Sequence, residues 1–224
     1  MASQLVLPLL SAVSQARNDF VVAPGNAQAV ALIDSLPNWP VGVAVIHGPS
    51  GSGKSHLVSI FQAMTGARVF SADALAYEHI AEHGAVAVED VDTAPASEAR
   101  DQALFHLIEG TSPSAPLLLT GKEAPATWAT VLPDLASRFS AALSLPLWRP
   151  DDALLAALAR KLFDDRQVAV PDSVIARIVQ SQERSPRAVR DFVDRTDARA
   201  LSRACPITLP LVRELLAEED EGLS

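Results

Sequence analysis

Gly48-Pro49-Ser50-Gly51-Ser52-Gly53-Lys54-Ser55 has the G-x-x-x-x-G-K-S spacing of a phosphate-binding loop. The glycines let backbone N–H groups curl around a polyphosphate, and a helix N-terminus behind them adds favourable partial charge. Lys54 would reach the outer phosphates and Ser55 would offer its hydroxyl to Mg²⁺. The motif therefore predicts ATP or ADP as ligand, with Mg²⁺. Further along, Glu89-Asp90 closes an apolar run. Carboxylates at the carboxyl end of a strand lie beside the ligand in a doubly wound sheet, where one can hold Mg²⁺ and the next can orient an attacking water. An acidic turn that merely ends a strand is the plainer reading.

The elements that must carry these residues alternate. Val41 to Ile46 is a buried-strand pattern, and Ser55 to Met64 places Leu57, Ile60, Phe61 and Met64 at helical spacing. Ala67 to Phe70 reads as a strand, and Ser71-Ala72-Asp73 as a cap opening a helix to about Glu82. Strands at Ala85 to Val88, Pro116 to Thr120 and Ala141 to Leu145 are separated by a helix over Ser97 to Gly110 and by the segment Leu132 to Phe139. The order predicts an α/β fold with a doubly wound parallel five-stranded sheet. From Trp148 onward strand patterns give way to helices over Pro150–Asp165, Pro171–Gln182, Ser185–Ala204 and Leu209–Glu219, a small all-helical lid. The predicted domains are an N-terminal arm (1–19), a nucleotide-binding domain (20–147) and the helical domain (148–224).

At 224 residues, 49% hydrophobic and 20% charged, the chain can bury a substantial core. A net charge of −9 opposes a nucleic-acid surface, which needs a clustered basic face, so direct sequence-specific DNA binding is not expected. Ten of the eighteen basic residues fall between Arg160 and Arg203, but acidic residues are interleaved with them, as on charge-paired helix faces. The acidic stretch Glu214 to Glu221 reads as a solubilising end. The single cysteine, Cys205, excludes an internal disulfide. No charged start precedes the short apolar run Leu5 to Leu10, and no stretch approaches a membrane span, which predicts a cytoplasmic protein without membrane contact.

Other residues invite a role beside a plainer alternative. Val21, Val22 and Asn26 precede the first strand, where they could touch a nucleotide base or simply enter the core. Thr120 ends its strand, placed to meet water or a terminal phosphate, or to satisfy the backbone. Arg138 could pair locally or reach a phosphate in a neighbouring subunit as an arginine finger. Arg187 follows the cap Ser185, where an acid would suit the helix dipole better, so a partner anion such as the nucleotide phosphates is suggested, although with Arg184 and Arg190 nearby a solvated charged face is the plainer reading. In the arm, Gln4, Leu5, Leu7, Pro8 and Leu9 form an extended peptide able to enter an apolar groove of a partner or of its own domain.

Together these residues resemble the AAA+ ATPases, and within them the bacterial replication-initiator group, in which a histidine such as His56 follows the phosphate-loop Ser/Thr. The resemblance implies Walker A ligands in Lys54 and Ser55, Walker B positions at Glu89-Asp90, a sensor at Thr120, an arginine finger at Arg138 and a second sensor at Arg187. It implies that Gln4 to Leu9 binds the DNA polymerase sliding clamp, and that Leu132 to Arg138 belongs to a regulator of the initiator. That regulator would activate hydrolysis by its partner, have little ATPase activity of its own and work in an ADP-bound form, with a homo-oligomer compatible. Glu89 stands where Asp is usual, and the expected domains end with the lid, without the helix-turn-helix domain of the initiator, both in keeping with a regulator. An autonomous loader or remodeller, and a non-catalytic adaptor, are the competing expectations.

Overall fold

The computed structural model describes residues 17–76, 84–112 and 114–222. The chain divides after Arg149 into two compact units. The first contains α1 (Ala27–Asp34), β1 (Val43–His47), α2 (Lys54–Thr65), β2 (Arg68–Ser71), β3 (Val86–Glu89), α3 (Glu98–Glu109), β4 (Leu117–Gly121), α4 (Pro133–Ala141) and β5 (Leu143–Pro146). Its strands lie in the order β2-β3-β4-β1-β5, every neighbouring pair parallel. The five-stranded doubly wound sheet read from the sequence is therefore present.

Both faces of the sheet are covered, and the strand period of two assigns side chains to each. Ala44, Ile46, Ala87 and Leu118 join α1 and α2 residues such as Ile33, Leu57 and Phe61 in one core layer. Val45, Val88, Leu117 and Leu119 turn to the other, against Leu104, Leu135 and Phe139 of α3 and α4. Strands buried on both faces must be apolar throughout, which is why β1 and β4 lack alternation. Trp39 packs in the first layer, stacked on Phe61 at 5.2 Å while its Nε1 donates to the Leu32 carbonyl. Arg17, in the 3₁₀ turn Arg17–Asp19, forks onto both carboxylate oxygens of Asp34 at 2.6 Å and so ties that turn to α1.

Two adjacent charges hold the second layer together. Arg100 and Asp101, in the first turn of α3, are 4% and 0% exposed. Arg100 donates to Asp101 and to the carbonyls of Val91, Ala94 and Ala129, while Asp101 accepts from Thr130 Oγ1 and the Val131 N–H, both at 2.6 Å. The pair thus joins the loop after β3 to the loop that launches α4.

The second unit consists of α5 (Asp152–Asp165), α6 (Asp172–Ser181), α7 (Pro186–Arg203) and α8 (Leu209–Gly222). Helix starts follow local chemistry: Asp151 accepts from Leu154 N–H and Ser185 from Ala188 N–H. In α7 the buried residues Val189, Phe192, Val193, Thr196 and Ala200 fall on one helical face, and α7 packs on α5, which buries Leu155, Leu158 and Phe163. Charges on the outer faces are paired as expected, Arg160 with Asp172 and Arg166 with Asp194.

Two readings are corrected. Ser71-Ala72-Asp73 opens only a short 3₁₀ turn, Ala72–Ala74, because the Ser71 hydroxyl bonds Asp73 instead of capping and Leu75 is extended. Residues 77–83, where the predicted helix would continue, lie outside the described residues. The acidic C-terminal stretch is not merely solubilising: Glu214 bonds Arg199 and Arg203, Glu218 bonds Arg199, and Glu219 bonds Arg195, fastening α8 to α7. Among the described residues no helix is long and apolar enough to cross a membrane.

Candidate functional site

The phosphate loop follows β1, which lies between β4 and β5, the place where helices switch faces and ligands bind in doubly wound sheets. Its shape depends on glycine. Gly53 adopts φ 103° and caps α2, and Gly48 adopts φ 156° with the space for a Cβ taken by the Leu147 carbonyl oxygen at 2.2 Å. A side chain at either position would deform the cradle. Phe20, which the sequence reading passed over, lies against Gly53 and meets the His56 ring edge-on at 5.0 Å. His56 is thereby used in fixing the loop's entry.

Lys54 is 8% exposed and donates through Nζ to the carbonyls of Gly48 at 2.6 Å and Pro49 at 3.1 Å. Ser50 and Gly51 form the exposed rim. Burial pulls the Lys54 ammonium below its ordinary pKa, an effect that Asp90 and Asp92 oppose. An incoming polyphosphate would replace the two carbonyls with stronger, charge-assisted acceptors. Ser52 Oγ is buried with no hydrogen-bond partner, a hydroxyl that a phosphate oxygen would satisfy. Cradle, cation and unpaired hydroxyl together fit a polyphosphate. Lys54→Ala is expected to weaken binding of ADP and of inorganic pyrophosphate by about 10- to 100-fold, the range for a lost hydrogen bond to a charged group, as read by titration calorimetry.

The sheet brings Glu89, Asp90 and Thr120 to the same end as the loop. Ile46 and Thr120 are register partners, and Thr120 is buried at the end of β4. Its Oγ1 accepts the Asp90 N–H at 3.2 Å and its carbonyl accepts the Val91 N–H, so it fixes the turn in which Asp90 takes φ 56°. Ser55, exposed in the first turn of α2, and half-buried Glu89 at the end of β3 are the residues that could share a Mg²⁺ ion. Among the described residues no three acidic, His or Cys side chains converge as a metal cage, and Mg²⁺ bound through phosphates needs none.

Asp92 belongs to this site although the sequence reading stopped at Asp90. Its Oδ2 accepts the N–H groups of Lys122 and Glu123, both at 2.8 Å, closing the turn after β4, while Oδ1 is buried without a partner. Its position two residues beyond Asp90 was the available signal. Asp92 and Glu123 also favour the protonated form of His47, but burial dominates and holds the imidazole below its usual range. The unfolded chain therefore takes up this proton first, and stability is complete above the ordinary histidine pKa of about 6.5 and declines as pH falls through that value. Urea midpoints are expected to drop between about pH 7 and pH 5.5, and His47→Gln to flatten that slope.

Asn26 is spent on its own turn, donating to the Val21 carbonyl and accepting the Ala23 N–H. It shapes the segment that carries Val21 and Val22, of which Val22 is exposed. Arg138 lies elsewhere. It stands in the last turn of α4, ion-paired with Glu109, with its guanidinium 4.6 Å from the Phe105 ring centre. Since α3 runs back from the phosphate end and Glu109 closes it just before β4 begins, Arg138 is at the opposite end of the sheet from Lys54. In the helical unit, Arg187 is exposed in the first turn of α7 and ion-paired with Asp191 at 3.7 Å. Gln4, Leu5, Leu7, Pro8 and Leu9 lie outside the described residues.

No family model matches the sequence. Solved structures do resemble the chain. Domain III of the replication initiation protein DnaA from Thermotoga maritima superposes with TM-score 0.74 at 17% identity, over 92% of this chain and 96% of that one. This is the AAA+ fold. AMPPCP-bound DnaA from Aquifex aeolicus gives 0.67 at 17% identity over 82% of this chain and 65% of its own, and the Thermotoga maritima RuvB Holliday junction branch migration motor gives 0.64 at 16% over 84% and 65%. The AAA+ fold is thus shared with an initiator and with a motor at similar distance, so function has to be argued from the site.

Proposed function

We propose that this chain is a nucleotide-held regulator of replication initiation, similar to Hda, the regulatory inactivator of the DnaA initiator. It binds ADP or ATP with Mg²⁺ at Lys54, Ser55 and Glu89, with Thr120 and Arg187 as sensors. The peptide Gln4 to Leu9 tethers it to the DNA polymerase sliding clamp, and Arg138 is presented to the γ-phosphate of ATP bound by the initiator. An arginine supplied in trans stabilises charge developing in phosphoryl transfer. The initiator passes to its ADP state, and renewed firing in the cytoplasm is blocked.

The observation that carries this reading is the separation of Arg138 from its own phosphate loop. A complete P-loop at one end of the sheet and a half-buried guanidinium, held by a surface ion pair, at the other suit an arginine that serves a neighbouring molecule's nucleotide. The same arrangement would serve a self-assembling ATPase, and the identity of the neighbour separates the two. The test is hydrolysis of initiator-bound ATP with and without DNA-loaded clamp. Stimulation by this protein that depends on the clamp supports the proposal; brisk ATP turnover by the protein alone, with no effect on the initiator, removes it.

A further inference from the structure

Trp148 is 68% exposed, whereas the other two tryptophans of the chain, Trp39 and Trp128, are each 5% exposed. A large aromatic left in water has a broad apolar face available to a ligand. Its placement says which. Trp148 directly follows Leu147, whose N–H bonds the His47 carbonyl at 2.6 Å and whose own carbonyl abuts Gly48, the first glycine of the phosphate loop. Trp148 N–H donates to the Gly25 carbonyl, and the indole lies against Gly25, where even a Cβ would come within 3.2 Å of the Trp148 Cβ. Val22 and Pro24, in the segment that leads to Gly25, are also exposed. The indole therefore adjoins the phosphate cradle through two backbone anchors, beside the turn that ends at Gly25.

We propose that Trp148 is the base-binding residue of the nucleotide site, its indole stacking on the purine of a nucleotide whose phosphates lie on Gly48 to Ser55. The inference rests on the nucleotide-binding reading above and adds the group that recognises the base. A π face suits any nucleobase, and a purine offers it the larger surface. Gly25 is part of the device because the indole needs the room a side chain would take.

The test measures ADP and inorganic pyrophosphate binding by calorimetry, and the change in tryptophan emission on adding ADP. The exposed variant Trp148→Ala should fold normally, bind pyrophosphate as the parent does, and bind ADP about 5- to 150-fold more weakly, the range for loss of one aromatic stack. Trp148→Phe should recover most of that loss, and the emission change should vanish in both variants. Unchanged ADP affinity in Trp148→Ala, including the case in which only affinity for the initiator falls, overturns the inference and assigns the indole to a protein partner. Failure of the parent protein to bind either ADP or pyrophosphate would instead defeat the nucleotide-binding reading itself.

Discussion

Replacing Arg138 with alanine is expected to lower stimulated hydrolysis of initiator-bound ATP by about 10³- to 10⁵-fold, the contribution of arginine fingers in nucleotide switches, while leaving clamp binding intact. The structure explains why the loss should be confined to chemistry. Arg138 is 36% exposed, and its partners Glu109 and Phe105 hold it through an exposed ion pair and a cation–π contact. Such contacts are worth roughly 0.2–1 kcal/mol each, too little to matter to folding and little enough to be given up when a γ-phosphate competes. Arg138→Lys should recover only part of the activity, since an ammonium cannot fork across two phosphate oxygens. Single-turnover hydrolysis on the initiator, with clamp binding measured in parallel, checks both. Full stimulation by Arg138→Ala would leave the protein an adaptor.

The second large effect is on stability. Asp101→Ala is expected to cost about 3–5 kcal/mol, because it strands the Arg100 guanidinium in the core without its counterion. It also removes the acceptor that holds Thr130 and the Val131 N–H. At roughly 2–4 °C per kcal/mol for a chain of this size, the melting temperature should fall by about 6–20 °C in thermal denaturation. Arg100→Met combined with Asp101→Ala should be milder than Asp101→Ala alone, since no buried charge is left uncompensated. A fall of only a degree or two for Asp101→Ala would mean that the loops before α3 and before α4 are held some other way.

Neither residue of that pair announces itself in the sequence. Arg100-Asp101 follows Ser97-Glu98-Ala99 and reads as a charged first turn facing water; only the two loops that fold over it, Val91 to Ala94 and Ala129 to Val131, bury it. What was legible depended on short-range signals. The glycine and lysine spacing of the phosphate loop, the fully apolar β1 and β4, and the serine caps of α3 and α7 are local rules, and the structure keeps them. Ser71 shows the limit of such rules, because a serine with an aspartate two residues on can bond that side chain and forgo the cap. Asp92 and Trp148 escaped notice for a related reason. Their importance comes from the turn after β4 and the turn at Gly25, which lie thirty or more residues away and are placed beside them by the sheet.

In the proposed mechanism the nucleotide of this chain shapes the site while the nucleotide consumed is the partner's. That mechanism is tested most directly by loading the initiator with labelled ATP and this protein with unlabelled ADP, mixing them with DNA-loaded clamp, and following the label. Labelled ADP should accumulate on the initiator while the unlabelled ADP stays bound to this protein. If the label persists as ATP in that mixture, and hydrolysis is seen only when the labelled ATP is loaded on this protein, the account is contradicted.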